Sequence, residues 1–517
     1  MEKKYINSLC NGTGKCGKCR VRIITPNLIT PRSSVEKQLL GKEIPENIRL
    51  SCQVFPNENI DLVIEILDLR EYHDNIFKIQ DTFSNFQLNF PFKPNIMNEE
   101  IRPKLGIVTD IGTTSIVLTV IDLSNGRILG ADSILNPQIE FGRDIMTRLS
   151  YALKSPLNQK LLQEKVLLGI STLLEHVLLS IGRSKKNIVE MIVIGNTVMH
   201  HLFLNLSIIN LARAPFISTI SDEYITTIKA IDMKGVINLP PQSIITMPPL
   251  IGGFIGSDAV VDILYTGFDK YDGVHILIDF GTNSEILLTS DRKIFAASVA
   301  AGGAFEGQHI NCGMRGIEGA IEKFWIENGK YRYSSINSIK PKGICGTGII
   351  DILAELLANG QLDKRGRLFN KLKVQTKKLI LIPAEETELK EPIYITRSDV
   401  ESIQKAKAAT MAAIRTLAKH LNLEINQINT IHIAGVFGSK LNIRNAKKIG
   451  LLPKLPENKF KIHGNAAEKG GRTILLSMDA REEAKSISKN VTRHELTAFP
   501  EFQSYFTEEL FFPEDLD

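Results

Sequence analysis

Cys10, Cys16 and Cys19 crowd into the stretch "CNGTGKCGKC", and Cys52 follows in "RLSCQV", in a chain with six cysteines in all. Without a secretory signal, clustered thiols are more often metal ligands or redox groups than disulfide halves. The spacing C-x5-C-x2-C plus one distant cysteine suits a 2Fe–2S cluster, because one loop wraps three thiolates round the irons and a separate segment closes the site. Four-cysteine zinc is the competing reading, though it is usually built from two C-x2-C knuckles and only one is present. A second chemistry is written further along. Asp110-Ile-Gly-Thr-Thr and Asp279-Phe-Gly-Thr-Asn each end an apolar run with an aspartate and a Gly-Thr turn. Gly112 and Gly281 let turn amides approach phosphate oxygens with no Cβ in the way. Thr113, Thr114, Thr282 and Asn283 add side-chain donors. Asp110 and Asp279 suit Mg²⁺ held largely through water, or alignment of an attacking water.

These residues need elements to hold them. Gly12, Gly14 and Gly17 let the cysteine loop curl, and "RVRII" (20–24) and "DLVIEI" (61–66) alternate as flanking strands do. The Asp-x-Gly-Thr segments belong to a longer internal echo, "IVTDIGTTSIVLTVIDLSNGRIL" (107–129) against "ILIDFGTNSEILLTSDRKIF" (276–295). After each comes a long amphipathic helix, then a strand, "VEMIVIGNT" in one case and "INTIHIAGVFG" in the other. Two related α/β lobes facing each other across a cleft are expected. Glu306, in the glycine-rich stretch 300–321, can activate water or reach Mg²⁺, with a solvated loop carboxylate as the bland alternative. Asp258 opens a helix, where capping is the default role and metal binding the lesser one. The glycine turn that opens a helix in "GICGTGIIDILAELL" (343–357) suits backbone contact with a ligand. Cys312 and Cys345 lack a partnering spacing and read as buried thiols. The adjacent His200 and His201 cannot share a helix face and read as core or surface residues.

At 517 residues the chain is long enough for two or three domains. Its net charge of +5 is small for that length and implies no nucleic-acid partner. The start "MEKKYINSL" is no signal peptide, and the apolar runs break at Asp and Gly before reaching membrane-spanning length. The expectation is a cytoplasmic protein. Lys3, Lys4, Lys15, Lys18, Arg20 and Arg22 surround the cysteine loop and would attract an acidic electron donor, or form a plain solvated face. Residues 69–102 carry five phenylalanines and no sustained period, as a linker partly packed on a neighbour would.

The cysteine segment, down to "LSCQ", resembles the vertebrate-type and plant-type ferredoxins. Only nine residues precede Cys10, so a β-grasp domain short at its N-terminus is expected there. The duplicated remainder resembles the acetate and sugar kinase, heat-shock chaperone and actin superfamily. That resemblance implies two ribonuclease-H-like lobes with ATP between them, and "IAGVFG" (433–438) is similar to the superfamily's adenosine motif. Gly435 and Gly438 would then let adenine or ribose lie flat on the chain. The combination resembles the ATP-dependent reductive activators of corrinoid proteins. It does so through "DIGTTSIVLTVID", "LNPQIEFGRDI", "GNTVMHHL", "GGFIGSD", "DFGTNSEI", "AFEGQHINCGMRGIEGAI", "CGTGIIDILAELL" and "GNAAEKGGR". The resemblance implies a 2Fe–2S ferredoxin-like domain at 1–68, a linker at 69–103 and ATPase lobes at 104–270 and 271–517. The family often carries a further middle domain, for which 69–103 leaves no room. It also implies return of a corrinoid protein from Co(II) to Co(I), driven by ATP. The implied partners are that corrinoid methyltransferase protein, a low-potential donor such as ferredoxin or flavodoxin, and a second copy of the chain. A small-molecule kinase would use the same cleft but gives no reason for the cysteines, and a nucleotide-gated redox sensor would bind ATP with negligible turnover.

Overall fold

The computed structural model describes residues 20–23, 31–40, 47–54, 64–66, 104–231 and 235–514. Cys10, Cys16, Cys19 and the expected linker at 69–103 lie outside the described residues, as does the side chain of Cys52. In the N-terminal segment β1 (Arg20–Ile23) pairs antiparallel with both β2 (Ile48–Leu50) and β3 (Ile64–Ile66). Helix α1 (Ser34–Leu40) carries Glu36, which is fully buried. Its carboxylate accepts from Arg49 Nε at 2.8 Å, Arg49 Nη2 at 2.7 Å and the Leu50 amide at 2.9 Å. A buried two-pronged ion pair of this kind fixes geometry more than it adds stability. It holds the end of β2, which runs into the short turn Ser51–Gln53.

The rest of the described chain builds two six-stranded sheets. The first uses β4 (Leu105–Ile111), β5 (Ser115–Asp122), β6 (Ile128–Leu135), β7 (Ile188–Ile194), β8 (Tyr224–Thr227) and β9 (Ile244–Met247). Its helices are α2 (Ile145–Ala152), α3 (Pro156–Ser180), α4 (Thr197–Leu204), α5 (Ile228–Ile231) and α6 (Ser257–Thr266). The second uses β10 (His275–Phe280), β11 (Ser284–Ser290) and β12 (Lys293–Val299), joined later by β20 (Thr430–Ala434), β21 (Phe460–Gly464) and β22 (Val491–Arg493). Between them in sequence lie small two- and three-stranded sheets made of β13 (Ala320–Glu327) through β19 (Ile393–Thr396), with α7 (Gly346–Ala358) among them. Helices α8 (Arg397–His420), α9 (Ile443–Lys448), α10 (Ala466–Leu476), α11 (Met478–Asn490) and α12 (Pro500–Glu509) complete the chain.

The two sheets repeat one plan. Strand order is β6-β5-β4-β7-β9 in the first and β12-β11-β10-β20-β21 in the second. In each, the first three strands form an antiparallel meander and the last two run parallel to the hairpin's first strand. β4 and β10 are apolar along nearly their whole length because helices cover both faces of a central strand. The expected duplicated two-lobe α/β architecture is what the chain adopts. Long α3 starts cleanly at Ser155, whose side chain caps the Asn158 amide, and α8 starts at a reciprocal Thr396–Asp399 box.

One hydrophobic core serves both sheets. Val108, Ile192 and Ile194 of the first sheet and Leu277, Leu287 and Ala296 of the second pack with α6, α10 and α11. Helix α10 crosses over the first sheet: a Cβ on Gly106 would lie 2.7 Å from Leu475, and one on Gly471 2.2 Å from Ile194. It also crosses α6 closely, since a Cβ on Gly470 would lie 2.3 Å from the Val261 carbonyl. Next to this crossing, Arg481 of α11 donates to Glu190 of β7 at 2.9 Å, with both side chains buried. Thr246 donates to the other Glu190 oxygen at 2.6 Å, and Arg481 Nε donates to the Ile474 carbonyl at 2.9 Å. No described helix is long and apolar enough to cross a membrane.

Candidate functional site

The two Gly-Thr turns meet. Both lie at the carboxyl ends of the central strands β4 and β10, where open α/β sheets place their ligands, and they face each other across a cleft of about 260 Å³. Asp110, Gly112, Thr113 and Thr114 line it from one side, and Asp279, Gly281, Thr282, Asn283, Glu306 and Gly435 from the other. Each turn needs its glycine: a Cβ on Gly112 would lie 2.8 Å from the Ser115 carbonyl, and one on Gly281 2.9 Å from that of Asn283. Gly435 has φ +86°, and a Cβ there would lie 2.5 Å from the Phe280 carbonyl and 2.7 Å from Asp279 Oδ1. Only glycine lets that turn close down on the β10 aspartate. The side chains between the turns touch directly. Thr114 Oγ1 and Thr282 Oγ1 are 2.6 Å apart, and both donate to Glu306 Oε2, at 2.5 and 3.0 Å. Gln308 Nε2 donates to the same carboxylate oxygen at 3.1 Å and to Thr114 Oγ1 at 2.9 Å.

Beneath the turns the electrostatics are one-sided. Burial pushes the Asp110 carboxyl well above its ordinary range, helped by the charges of Asp258, Asp279 and Glu468. Asp279 is pushed up to about 7 by burial and by Asp258 and Glu306. Asp258 reaches about 6 through burial, opposed by backbone amides at the start of α6. Glu285 and Asp262 are raised further, again mainly by burial, and both Asp262 oxygens are buried without a hydrogen-bond partner. Among the described residues no three acidic side chains are grouped so as to hold a metal ion directly. A divalent cation here would therefore be met mostly through water and would restore the charge stabilisation these carboxylates lose. A cation displaces protons from these groups, so affinity for Mg²⁺ with nucleotide is expected to climb with pH between about 5.5 and 8, by up to about tenfold per unit for each proton displaced. Calorimetry across that range checks it, and a flat profile counts against the carboxylates as ligands. The stability effect runs the other way. Folded pKa values are raised, so the stabilisation is full below about pH 4 and lost as pH climbs through 6 and 7. Thermal protection by Mg²⁺ should therefore be largest at neutral pH and above.

Several residues differ from the sequence expectation. Gly438 does not line the cleft; a Cβ there would meet Ile433 Cγ2 at 2.5 Å, so it packs the turn from behind. Asp258 is not the helix cap, a position Gly256 takes, and it lines the cleft beside the two aspartates. Glu306 is no solvated loop carboxylate but the junction of both threonines. The glycine turn before α7 does open on the cleft, through Cys345, Gly346 and Thr347. Cys345 is buried and Cys312 only half-buried. His200 and His201 are core residues, bonded to Ser257 Oγ and the Thr197 carbonyl, each at 2.8 Å. The sequence reading missed Asp262 and Glu285. The i,i+4 spacing of Asp258 and Asp262 on one helix face was the available signal.

Known proteins resemble this chain along most of its length. Residues 105–271 match the family described as the RACo middle region, and residues 273–517 that described as the C-terminal domain of RACo, the ASKHA domain. The corrinoid activation enzyme RamQ of Eubacterium limosum is 34% identical over 432 residues, 80% of this chain and 71% of that one. The chain belongs to the family of reductive activators of corrinoid proteins. A solved member, a reductive activator for a corrinoid, iron–sulfur protein, superposes with a TM-score of 0.78 at 29% identity, covering 98% of this chain and 94% of that one. The [Co(II) methylated amine-specific corrinoid protein] reductase of Methanosarcina barkeri is 26% identical over 424 residues, 76% of this chain and 73% of that one. The activators' middle region coincides with the first sheet and its helices. The matched middle region, residues 105–271, lies wholly after the segment 69–103.

Proposed function

We propose that this activator returns a corrinoid protein from Co(II) to Co(I) in a reaction driven by ATP, with the electron delivered through a 2Fe–2S cluster on Cys10, Cys16, Cys19 and Cys52. The observation that carries the reading is the pair of phosphate-type turns facing each other over buried carboxylates, on the same chain as a four-cysteine segment. In this reading residues 1–68 form the iron–sulfur domain, 69–103 the linker, and 104–270 and 271–517 the two ATPase lobes. The cluster supplies a one-electron centre, whose plant-type potential of about −400 mV makes the transfer uphill, at about 59 mV per factor of ten. Asp110 and Asp279 would hold Mg²⁺ mostly through water, and the ion would neutralise phosphate charge.

The chain's own residues then do the following. Amides of both turns, with Thr113 and Asn283, grip the phosphates, and the Gly435 turn leaves room for the adenosine. The terminal phosphate competes with Glu306 for the hydroxyls of Thr114 and Thr282. Glu306 swings off them and is left beside the phosphate, where it can take the proton of an attacking water. Closing and reopening of the lobes couples this cycle to docking of the corrinoid protein. The proposed partners beside the corrinoid protein are a low-potential ferredoxin or flavodoxin, which would supply the electron to the cysteine segment, and a second copy of the chain. We place the protein in the cytoplasm, where the buried Cys345 thiol stays reduced.

The test is anaerobic. Reduced protein is mixed with ATP and, in separate arms, a methylated amine-specific corrinoid protein and a corrinoid iron–sulfur protein in the Co(II) state. Co(I) absorbance that needs ATP is the expected result, and Co(I) formation indifferent to ATP removes the coupling. Iron and sulfide analysis of the same material decides between a 2Fe–2S cluster and zinc.

A further inference from the structure

The segment "LNPQIEFGRDI" (135–145) plays no part in the site as described, yet it leads to two side chains lying directly behind the first turn. Asn136 and Arg148 are both fully buried. Asn136 Nδ2 donates to the Gly112 carbonyl at 2.8 Å, and the Asn136 backbone amide donates to the Thr114 carbonyl at 2.9 Å. Arg148 Nη2 donates to the carbonyl between them, that of Thr113. The guanidinium is itself fixed by the Gly142 carbonyl at 2.8 Å and by Gln138 Oε1 at 3.2 Å.

Three successive carbonyls of the turn are thus drawn to one side. In a trans peptide the carbonyl and the following N–H point in opposite directions. Pulling back the carbonyls of Gly112 and Thr113 therefore turns the amides of Thr113 and Thr114 toward the cleft. Among the described residues no protein group accepts from those two amides. Neighbouring amides aimed into one concavity make an anion site. Arg148 adds a second element, because its hydrogen-bond partners are all neutral: two carbonyls, an amide oxygen and Met199 Sδ at 3.5 Å. Its positive charge is therefore not spent on a carboxylate in contact with it. The second turn is held differently, by the Gly302 amide donating to the Thr282 carbonyl at 2.9 Å.

We propose that Asn136 and Arg148 are positioning residues that make the Gly112–Thr114 turn the receptor for the phosphate chain, Asn136 by aiming the amides and Arg148 by setting positive charge behind them. Neither touches the nucleotide. The proposal rests on the reading that the cleft binds ATP, and it makes the amides of the first turn an anion site set above the carboxylates.

Two full-length variants test it, with binding of Mg·ATP and of adenosine measured by calorimetry beside thermal midpoints. Asn136→Asp keeps the oxygen that accepts from the Gln138 amide at 3.0 Å. It removes the Nδ2 that donates to the Gly112 carbonyl at 2.8 Å and reaches Met199 Sδ at 3.8 Å, and puts an acidic group behind the turn in its place. Arg148→Lys keeps the charge but cannot reach several acceptors at once. Affinity for Mg·ATP is expected to fall about tenfold or more in each, with adenosine affinity held within about twofold. Unchanged Mg·ATP affinity overturns the proposal. So does equal loss for ATP and adenosine, or loss that follows a fallen thermal midpoint, since a merely structural role predicts that pattern. Should Arg148→Lys fail to fold, Asn136→Asp decides alone. If the wild-type protein itself binds ATP no better than adenosine, the nucleotide reading is what fails.

Discussion

Asp110→Asn is expected to lower ATP turnover by about a hundredfold or more while leaving the protein at least as heat-stable as the wild type. The two halves of that result have separate causes. Asp110 ends β4 inside the cleft, where burial and the charges of Asp258, Asp279 and Glu468 all oppose its ionisation. An amide of the same size relieves that repulsion, so the nucleotide-free midpoint should rise by a few degrees. The same amide cannot carry the negative charge that organises a cation and a water around the terminal phosphate. Asp279→Asn should behave alike, since its carboxyl is raised for the same reasons. Phosphate release at saturating Mg·ATP and calorimetric melting without nucleotide are the two measurements. Turnover within about threefold of wild type would remove Asp110 from the chemistry. A large fall in the midpoint would instead make it a structural residue.

Arg481→Met should have the largest effect on stability. It strips the partner from Glu190, a carboxylate buried between β7 and α11. Breaking a buried pair from one side costs about 3–5 kcal/mol, because the remaining charge has neither water nor a counterion. Spread over a protein of 517 residues, that is a fall of about 3–5 °C in thermal midpoint. The pair joins a strand of the first sheet to a helix that lies between β21 and β22 of the second, so the loss should loosen the lobes together. Adding Glu190→Gln to Arg481→Met removes the stranded charge while keeping an acceptor for Thr246, and most of the loss should return. A double variant as unstable as the single one would show that packing of the arginine stem, rather than charge, was at stake.

Much of this site could be read before the fold was known, for a physical reason. Tight turns lined with amides and small donors need glycine in unbroken sequence, so the turns at Asp110–Thr114 and Asp279–Asn283 declare themselves locally. The periodic helices and apolar strands around them did the same for the duplicated architecture. What could not be read depends on contacts across space. Asp258 looked like a helix cap because sequence alone does not show that α6 begins in the cleft. Glu306 looked solvated because Thr114 and Thr282 reach it from different lobes. Gly438 looked like a ligand contact, but its small size serves Ile433. Asn136 and Arg148 are ordinary polar residues until the carbonyls of a turn some twenty to thirty-five positions earlier are brought beside them.

The passage of α10 over β4 ties distant parts of the molecule into a lever. Asn465 and Ala467, at the helix start, line the cleft. Leu475, near its end, rests on Gly106, and the strand that begins there runs straight to Asp110. A tug on the aspartate turn is therefore delivered along a stiff strand to the far end of a stiff helix, whose other end senses the same occupant. Close-packed glycine crossings allow little compression and much sliding. Occupancy of the cleft should emerge at the outer surface as a shift of whole elements, where another macromolecule could feel it.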